Sequence, residues 1–540
     1  MGRRLFLLKP TPKQSFDATT GQTVDALLTP IYTQSGFSPK SWSASGPAQG
    51  TINQRRRSCV KVAGGRRVSG YFMISCTKSH ISRCFAIIAI CLSLALISAS
   101  VGFGAQSSAE PRREQLLNGL RILIWSQPAS PNVTVALRIH SGSAFDLAGK
   151  EGTMALLGDQ LFPDPETRDY FADELGGSLQ VAIDYDSLTI IMTGRAAELE
   201  RMLEILRTAL ISTPITDNSV SRLRDARMKT VRNVIDAPSS VADRAIAKRL
   251  YGEHPYGRPI GGTPESLSKI DRADLLLARE RFNAPDNSTL VVIGGVQESR
   301  VLRASRQLLG AWRKSDKLVP STFRLPDPPD ARTLIVDTPG LDTAELRLAV
   351  RSVSRSDHDF AIATLLAFVV RERWMSGFPE LSRRPFNVRN ESYLLSGIFM
   401  MGAFTQGSDA TKVLEAARSS LRSVVESPPT TAELQRARSE AIAAINAGAN
   451  DYGKIANNWL DAETYKLALN RDQLSLINRI TPADLQRVAG RLFHDAAYAS
   501  VVVGNAAQIK ADLERIGKVE VMGDNPMTKP TRSESPAKNP

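Results

Sequence analysis

The sequence predicts an α+β protein built from two homologous halves in tandem. Three observations carry this. A long-range repeat recurs at a nearly constant offset, helical and strand-like patterns mix without strict alternation, and a proline-rich segment divides the repeats.

The repeat is the strongest of the three. Ala273-Asp274-Leu275 is matched by Ala483-Asp484-Leu485 and Gly294 by Gly504, both at an offset of 210. Leu203-Glu204 is matched by Leu414-Glu415, and Ala226-Arg227 by Ala437-Arg438, at 211. Each repeat ends in a helix followed by a buried strand. Asp271 and Thr481 take N-cap positions and Pro482 the first helical position. The β-branched runs 290–293 and 500–503 are closed by glycine. Earlier in the first half, 133–139 and 180–192 alternate as strands, and 197–211 and 219–235 have helical apolar spacing. The second half repeats the plan: a strand at 332–337, a helix at 357–373, strands near 393–405, helices at 410–425 and 431–446. The expected domains are 106–315 and 332–518, joined by a proline-rich linker at 316–331. The polar tail, 519–540, reads as disordered.

At 540 residues the chain exceeds one hydrophobic core, which agrees with two domains. Of its formal charge of +13, +11 lies in residues 1–84, which hold thirteen Lys and Arg against two acids. The remainder is +2, so the basic balance gives no ground for a nucleic-acid partner. All four cysteines (Cys59, Cys76, Cys84, Cys91) precede the domains. That excludes a disulfide, a thiolate zinc site or a cysteine nucleophile in the body.

Residues 85–99 form an apolar run preceded by Lys78 and Arg83 and followed by small residues. This is the pattern of a secretory signal peptide over about 73–105, with cleavage expected at Ala105 or Ala109, and implies a periplasmic or secreted protein. The alternative is an uncleaved anchor, but the run falls short of the ~20 residues that span a bilayer. Residues 1–72 lack periodicity and read as a disordered extension or a mis-assigned start, with initiation at Met73. A product beginning at Met1 would refute the second reading.

Several stretches carry a family resemblance. Residues 116–124 (Leu-Leu-Asn-Gly-Leu-Arg-Ile-Leu-Ile) and 138–146 (Arg-Ile-His-Ser-Gly-Ser-Ala-Phe-Asp) look like its first two strands. Residues 250–266 (Leu-Tyr-Gly-Glu-His-Pro-Tyr-Gly-Arg-Pro-Ile-Gly-Gly-Thr-Pro-Glu-Ser) are the most specific, and Asp337-Thr-Pro-Gly340 resembles the entry to the second half. Together they resemble the insulinase-like (pitrilysin, M16) peptidase family over about 115–515. The resemblance implies two halves of the LuxS/MPP-like metallohydrolase type, each an antiparallel-rich sheet covered by helices.

Active members of that family carry His-x-x-Glu-His on a helix, where two imidazoles bind zinc and the glutamate acts as general base. Here Gly152-Thr153 and Leu161-Phe162 match the flanks, but the motif positions fall on Ala155, Gly158 and Asp159. Lys229-Thr230-Val231 stands where the downstream acids are expected. His140, His254, His358 and His494 are too scattered to replace the ligands, and His254 reads as a loop histidine. The acids Asp159, Asp164, Glu166, Asp169, Asp173 and Glu174 read as a solvated face, with a hard-cation site as the alternative.

The resemblance therefore implies a non-catalytic subunit with no cofactor of its own. It would pair as a heterodimer with a zinc-bearing homologue, bind peptide or unfolded protein, and have no stable membrane span after signal cleavage. In such partners an Arg and a Tyr of the second half hold substrate; Arg389 and Tyr393 are the candidates, with Arg384 as an alternative arginine. Residues 394–404 read as a core strand, or alternatively an edge that pairs with an extended peptide. Two other readings stay open: an independent metal-dependent endopeptidase with a non-standard site, and a peptide-binding scaffold.

Overall fold

A computed structural model describes residues 110–315, 323–467 and 473–522, all within one unit of the chain. The expected signal peptide and N-terminal extension, residues 316–322 of the expected linker and 523–540 of the expected tail lie outside the described residues.

The first half runs β1 (Arg112–Gln115), β2 (Arg121–Ser126), β3 (Asn132–Ile139), α1 (Thr153–Leu161), α2 (Glu166–Asp173), β4 (Ser178–Ile183), β5 (Leu188–Arg195), α3 (Leu199–Arg207), α4 (Asp217–Ile235), α5 (Pro238–Tyr251), α6 (Pro264–Ser268), α7 (Arg272–Phe282), β6 (Ser288–Gly294) and α8 (Glu298–Leu309). The second runs β7 (Thr333–Asp337), β8 (Thr343–Ser352), α9 (Phe360–Gly377), β9 (Phe386–Glu391), β10 (Gly397–Gln406), α10 (Ala410–Glu426), α11 (Thr431–Asn446), α12 (Tyr452–Tyr465), α13 (Gln473–Arg479), α14 (Pro482–Phe493), β11 (Ala499–Gly504), α15 (Ala506–Ile516) and β12 (Val519–Met522). The fold is α+β, as the sequence predicts.

Each half holds a six-stranded sheet, ordered β1-β2-β6-β3-β5-β4 and β12-β7-β11-β8-β10-β9. The last five positions of each order correspond strand for strand. The sixth strand comes from opposite ends of the chain: β1 enters antiparallel to β2, and β12 leaves parallel to β7. The repeated capping signals are real. Asp271 caps α7 through Asp274 N, Thr481 caps α14 through Asp484 N, and both helices carry full capping boxes.

Three details differ from the sequence expectation. Residues 180–192 form a hairpin, because the Asp184 carboxylate accepts from the backbone N–H groups of Asp186 (2.7 Å) and Ser187 (2.6 Å) and turns the chain. Residues 116–124 likewise contain a turn between β1 and β2, with Gly119 at φ 90°. The tail is ordered for four residues beyond 518, because β12 pairs along β7.

The packing of the two sheets explains their continuous apolar runs. One face of each sheet meets helices of its own half. Leu290 and Val292 of β6 join that core, while Val291 and Ile293 point the other way. The second face is covered by a helix from the opposite half. Ala456, Trp459 and Leu460 of α12 pack on Leu123, Ala136, Ile191, Val291 and Ile293 of the first sheet. Ala242, Ile246 and Leu250 of α5 pack on Leu334, Ala349, Ile398, Met400, Val501 and Val503 of the second. The halves thus exchange helices. Among the described residues, no helix is long and apolar enough to cross a membrane.

Candidate functional site

Helix α1 is anchored from below and from the side. Gly152 adopts φ 96° at its N-cap, and a β-carbon there would lie 2.8 Å from Leu267 Cδ2 and 2.9 Å from the Gly261 carbonyl. The buried Asp146 carboxylate accepts from the N–H groups of Gly152 and Met154, both at 2.8 Å. A carboxylate at a helix N-terminus is the favourable arrangement, yet burial pushes the Asp146 carboxyl up to about 7 against those bonds. Ser266, in the capping box of α6, donates to the Glu151 carbonyl at 2.8 Å. The most family-specific stretch, 250–266, therefore forms the seat of the degenerate helix.

The three motif positions lie on α1. Ala155 and Gly158 are buried and Asp159 is partly exposed. Arg227 of α4 donates Nε to Asp159 Oδ2 at 2.7 Å and Nη2 to the Ala155 carbonyl at 3.2 Å. The side chain of the downstream helix that reaches Ala155 and Asp159 is therefore Arg227, just before the Lys229-Thr230-Val231 segment singled out from sequence. Gly158 faces the edge strand β4, where a β-carbon would meet Ile183 Cδ1 at 3.2 Å and Val181 Cγ1 at 3.3 Å. The acids on and around α2 do not converge. Asp164 faces Arg222 at 3.6 Å, and Asp159 is taken by Arg227.

His254 is a loop residue, as expected. It is buried, its Nδ1 accepts from Tyr256 N at 3.1 Å, and burial lowers its pKa to about 4. His140 is partly buried and held neutral, between Thr464 Oγ1 and Thr289 Oγ1 at 2.9 Å each. His358 stands with Asp357 and Asp359 in a grouping that could hold a metal. Arg487 and Arg491 already reach Asp359, each at 2.6 Å, so cations of the protein occupy it.

In the second half, Arg389 lies within β9, the edge strand, and Tyr393 in the turn to β10. Glu391 joins them: Arg389 Nε stands 2.5 Å from Glu391 Oε1, and the Tyr393 hydroxyl donates to Oε2 at 2.8 Å. Arg389 and Glu391 lie opposite Met400 and Ile398, hence on the sheet face that also receives α5. Arg384 ends the short turn before β9, outside this group. The Tyr393 ring is not free. It packs at 5.1 Å on Tyr185 and 4.9 Å on Tyr256.

Beneath Tyr393 is a group that sequence reading missed. Asp186, in the β4–β5 turn, is buried and accepts from the Tyr256 hydroxyl (2.8 Å), Leu394 N (2.8 Å) and the Tyr465 hydroxyl (3.3 Å). Burial, then the neighbouring Asp184 charge, pushes its carboxyl up to about 7. Its bonds tie β4–β5, the 250–266 stretch, the β9–β10 turn and α12 together. The signal available in sequence was Asp184-Tyr185-Asp186-Ser187, a turn signature inside an alternating run.

Comparison with known proteins decides the family. The insulinase (peptidase family M16) profile matches residues 121–264, and the M16 inactive-domain profile matches 269–441. The chain belongs to the M16 family. An uncharacterized zinc protease of Rickettsia bellii is 19% identical over 408 residues, covering 72% of this chain and 97% of the relative. One from Mycobacterium leprae is 24% identical over 280 residues, covering 48% of this chain and 62% of the relative. Among solved structures, a protease from Helicobacter pylori superposes with a TM-score of 0.67 at 18% identity, covering 73% of this chain and 99% of the other. An M16 inactive domain from Pseudomonas fluorescens gives 0.66 at 19%, covering 73% and 98%.

In M16 terms, the zinc position does not fit zinc. The residue at the first histidine position offers a methyl group and the one at the base position a hydrogen. The carboxylate at the second histidine position is held by a guanidinium. A fixed positive charge at this point opposes a dication and takes the remaining donor. No metal-assisted step follows from these residues.

Proposed function

We propose that this chain is a non-catalytic M16 subunit, exported from the cytoplasm, that pairs with a zinc-bearing homologue and helps that partner bind peptide. The observation that carries this reading is the Arg227–Asp159 pair, which puts a protein cation where the family's metal would be held. The family's architecture is otherwise kept, including the seat of α1. That favours a role in shaping an enclosure over a role in chemistry.

Arg389 is the group of this chain best placed to meet a peptide. Its side chain is about one-third exposed on an edge strand, and its guanidinium offers fixed donors to a carbonyl or carboxylate. Glu391 orients it in the absence of substrate and keeps Tyr393 beside it. The test is co-expression with an M16 homologue carrying His-x-x-Glu-His. Co-purification, and proteolysis by the mixture only, support the proposal. Stoichiometric zinc on the isolated chain, or full activity alone, would overturn it in favour of an independent metallopeptidase.

A scaffold role is the second reading. It draws on the likeness to a chain of Complex III2 from Candida albicans (TM-score 0.64, 14% identity, covering 76% of this chain and all of that one). Unchanged proteolysis by the partner after Arg389→Ala would favour it.

A further inference from the structure

The second half carries a basic groove that the peptidase reading does not use. It lies between the C-terminal end of α9, the middle of α10 and the C-terminal end of α15, with a volume of about 870 Å³. Five cations line it, Arg373, Lys412, Arg418, Arg422 and Arg515, against one acid, Glu415. The body of the chain outside residues 1–84 is only +2, so this is a local concentration of charge.

Two of the five are compensated: Arg373 pairs with Glu433 at 2.7 Å and Arg515 with Asp512 at 2.8 Å. Among the described residues, Lys412, Arg418 and Arg422 make no ion pair. Arg418 is the telling one. It is half-buried, and its Nη2 donates only to neutral oxygens, Thr333 Oγ1 at 3.0 Å and Ser500 Oγ at 3.3 Å. Burial, and then the charge of Arg422, lower its pKa. Glu415, in the same lining, offsets this only in part and makes no ion pair with it among the described residues. A half-buried guanidinium so weakly compensated is costly, and a docked anion relieves that cost. Gly517 leaves it approachable, since a β-carbon there would stand 3.6 Å from Arg418 Nη1. On that side lies a second depression of about 680 Å³, whose charged lining is Arg332, Arg515 and Lys518 against Glu514, with Arg332 paired to Asp330. The guanidinium fork matches phosphate oxygens, and Ser419 in the same lining adds a hydroxyl donor.

We propose that this groove binds a phosphate-class anion, with Arg418 at its floor and Lys412 and Arg422 at its rim. The phosphate is either a free one or the headgroup of an anionic lipid.

The full chain is titrated by calorimetry with sodium phosphate, against sodium chloride at equal ionic strength. In parallel it is floated with phosphatidylglycerol and with phosphatidylcholine vesicles. The expected result is saturable binding of phosphate, or selective flotation with phosphatidylglycerol, and the arm that responds identifies the source. Lys412→Glu with Arg422→Glu, both exposed and so compatible with folding, weakens that response at least tenfold with the melting temperature kept. Arg418→Met does the same from the floor of the groove. Equal responses to phosphate and chloride together with equal flotation on both vesicles overturn the proposal, and so does binding that survives the double variant.

Discussion

Arg227 and Asp159 form a 2.7 Å ion pair that ties α4 to α1 on the helix where the family resemblance places a metal motif. The pair is partly exposed, with side-chain accessibilities of 21% and 32%, so screening limits its worth. Removing either partner alone should cost about 1 kcal/mol in urea denaturation, and a double-mutant cycle should recover a coupling of the same order.

The same pair makes a prediction about metal. Installing Ala155→His, Gly158→Glu and Asp159→His while keeping Arg227 should give no stoichiometric zinc by elemental analysis. The guanidinium would sit among the new ligands, and the side chain introduced by Gly158→Glu would press on Val181 and Ile183. Adding Arg227→Glu removes the charge and supplies a carboxylate, so zinc should appear only in that fourfold variant. Zinc in the threefold variant would mean that Arg227 does not guard the position.

The exchanged helices are pinned by two related ion pairs. Arg138 of β3 meets Asp461 of α12 at 2.5 Å, and Arg347 of β8 meets Asp243 of α5 at 2.7 Å. Their environments differ. Asp461 is 17% exposed and Asp243 is 48% exposed, while Arg347 has a second partner in Glu345 at 2.8 Å. Asp461→Ala leaves a buried guanidinium without its main partner and should cost about 3–5 kcal/mol. Asp243→Ala should cost less than about 1 kcal/mol. Equal losses in chemical denaturation would show that burial does not govern the two pairs.

Helix exchange also predicts that neither half is stable alone. Residues 110–315 expressed separately would expose Leu123, Ala136, Ile191, Val291 and Ile293, which α12 covers in the intact chain. Each aliphatic side chain of valine size or larger is worth about 1.5–3 kcal/mol when buried, so the four on the bare face forfeit roughly 6–12 kcal/mol, comparable with a domain's whole net stability. The first half should aggregate by itself and become soluble when 323–522 is co-expressed. A soluble first half with a cooperative melt would count against the exchanged packing.

The tandem plan was legible because helix caps and strand-closing glycines are local signals. Asp271, Thr481, Gly294 and Gly504 each do one local job, and the repeat shows it twice. Helix exchange was not legible, because an apolar run such as 290–293 reports burial on both faces without naming what covers them. The expectation that Ala155 and Gly158 stand at metal-motif positions rests on their flanks, Gly152-Thr153 and Leu161-Phe162. The pairing of Asp159 was not legible, because Arg227 lies 68 residues from Asp159 and its meaning depends on the angle between two helices. Tyr393 was found as a candidate, yet its tether to Glu391 and its place above Asp186 are products of tertiary packing.

Asp186 provides the pH prediction. It meets Asp184 in its own turn, Tyr256 of the 250–266 stretch, Leu394 N at β9–β10 and Tyr465 on α12, while Arg138 of β3 acts on Asp184, Glu391 of β9 on Tyr185 and Asp461 of α12 on Tyr465. Its carboxyl titrates at about 7 in the folded chain against about 3.9 in an unfolded one. The folded state therefore holds more protons between those values. The contribution of Asp186 to stability is complete below about pH 4 and is lost as pH rises through 7. Lowered histidine pKa values, at His254 and His140, act in the opposite sense below about 6.5, so the wild-type curve alone does not isolate the effect. The difference between wild type and Asp186→Asn does, since every other group is common to both. Wild type should gain on the variant in melting temperature as pH falls from 8 to 5. The protonated carboxyl can donate to the Tyr256 hydroxyl and still accept from Leu394 N, whereas the ionised one is held against Asp184 in a buried site. A difference that is flat over that range would show that Asp186 stays ionised, and would assign the junction of the halves to a permanent charge.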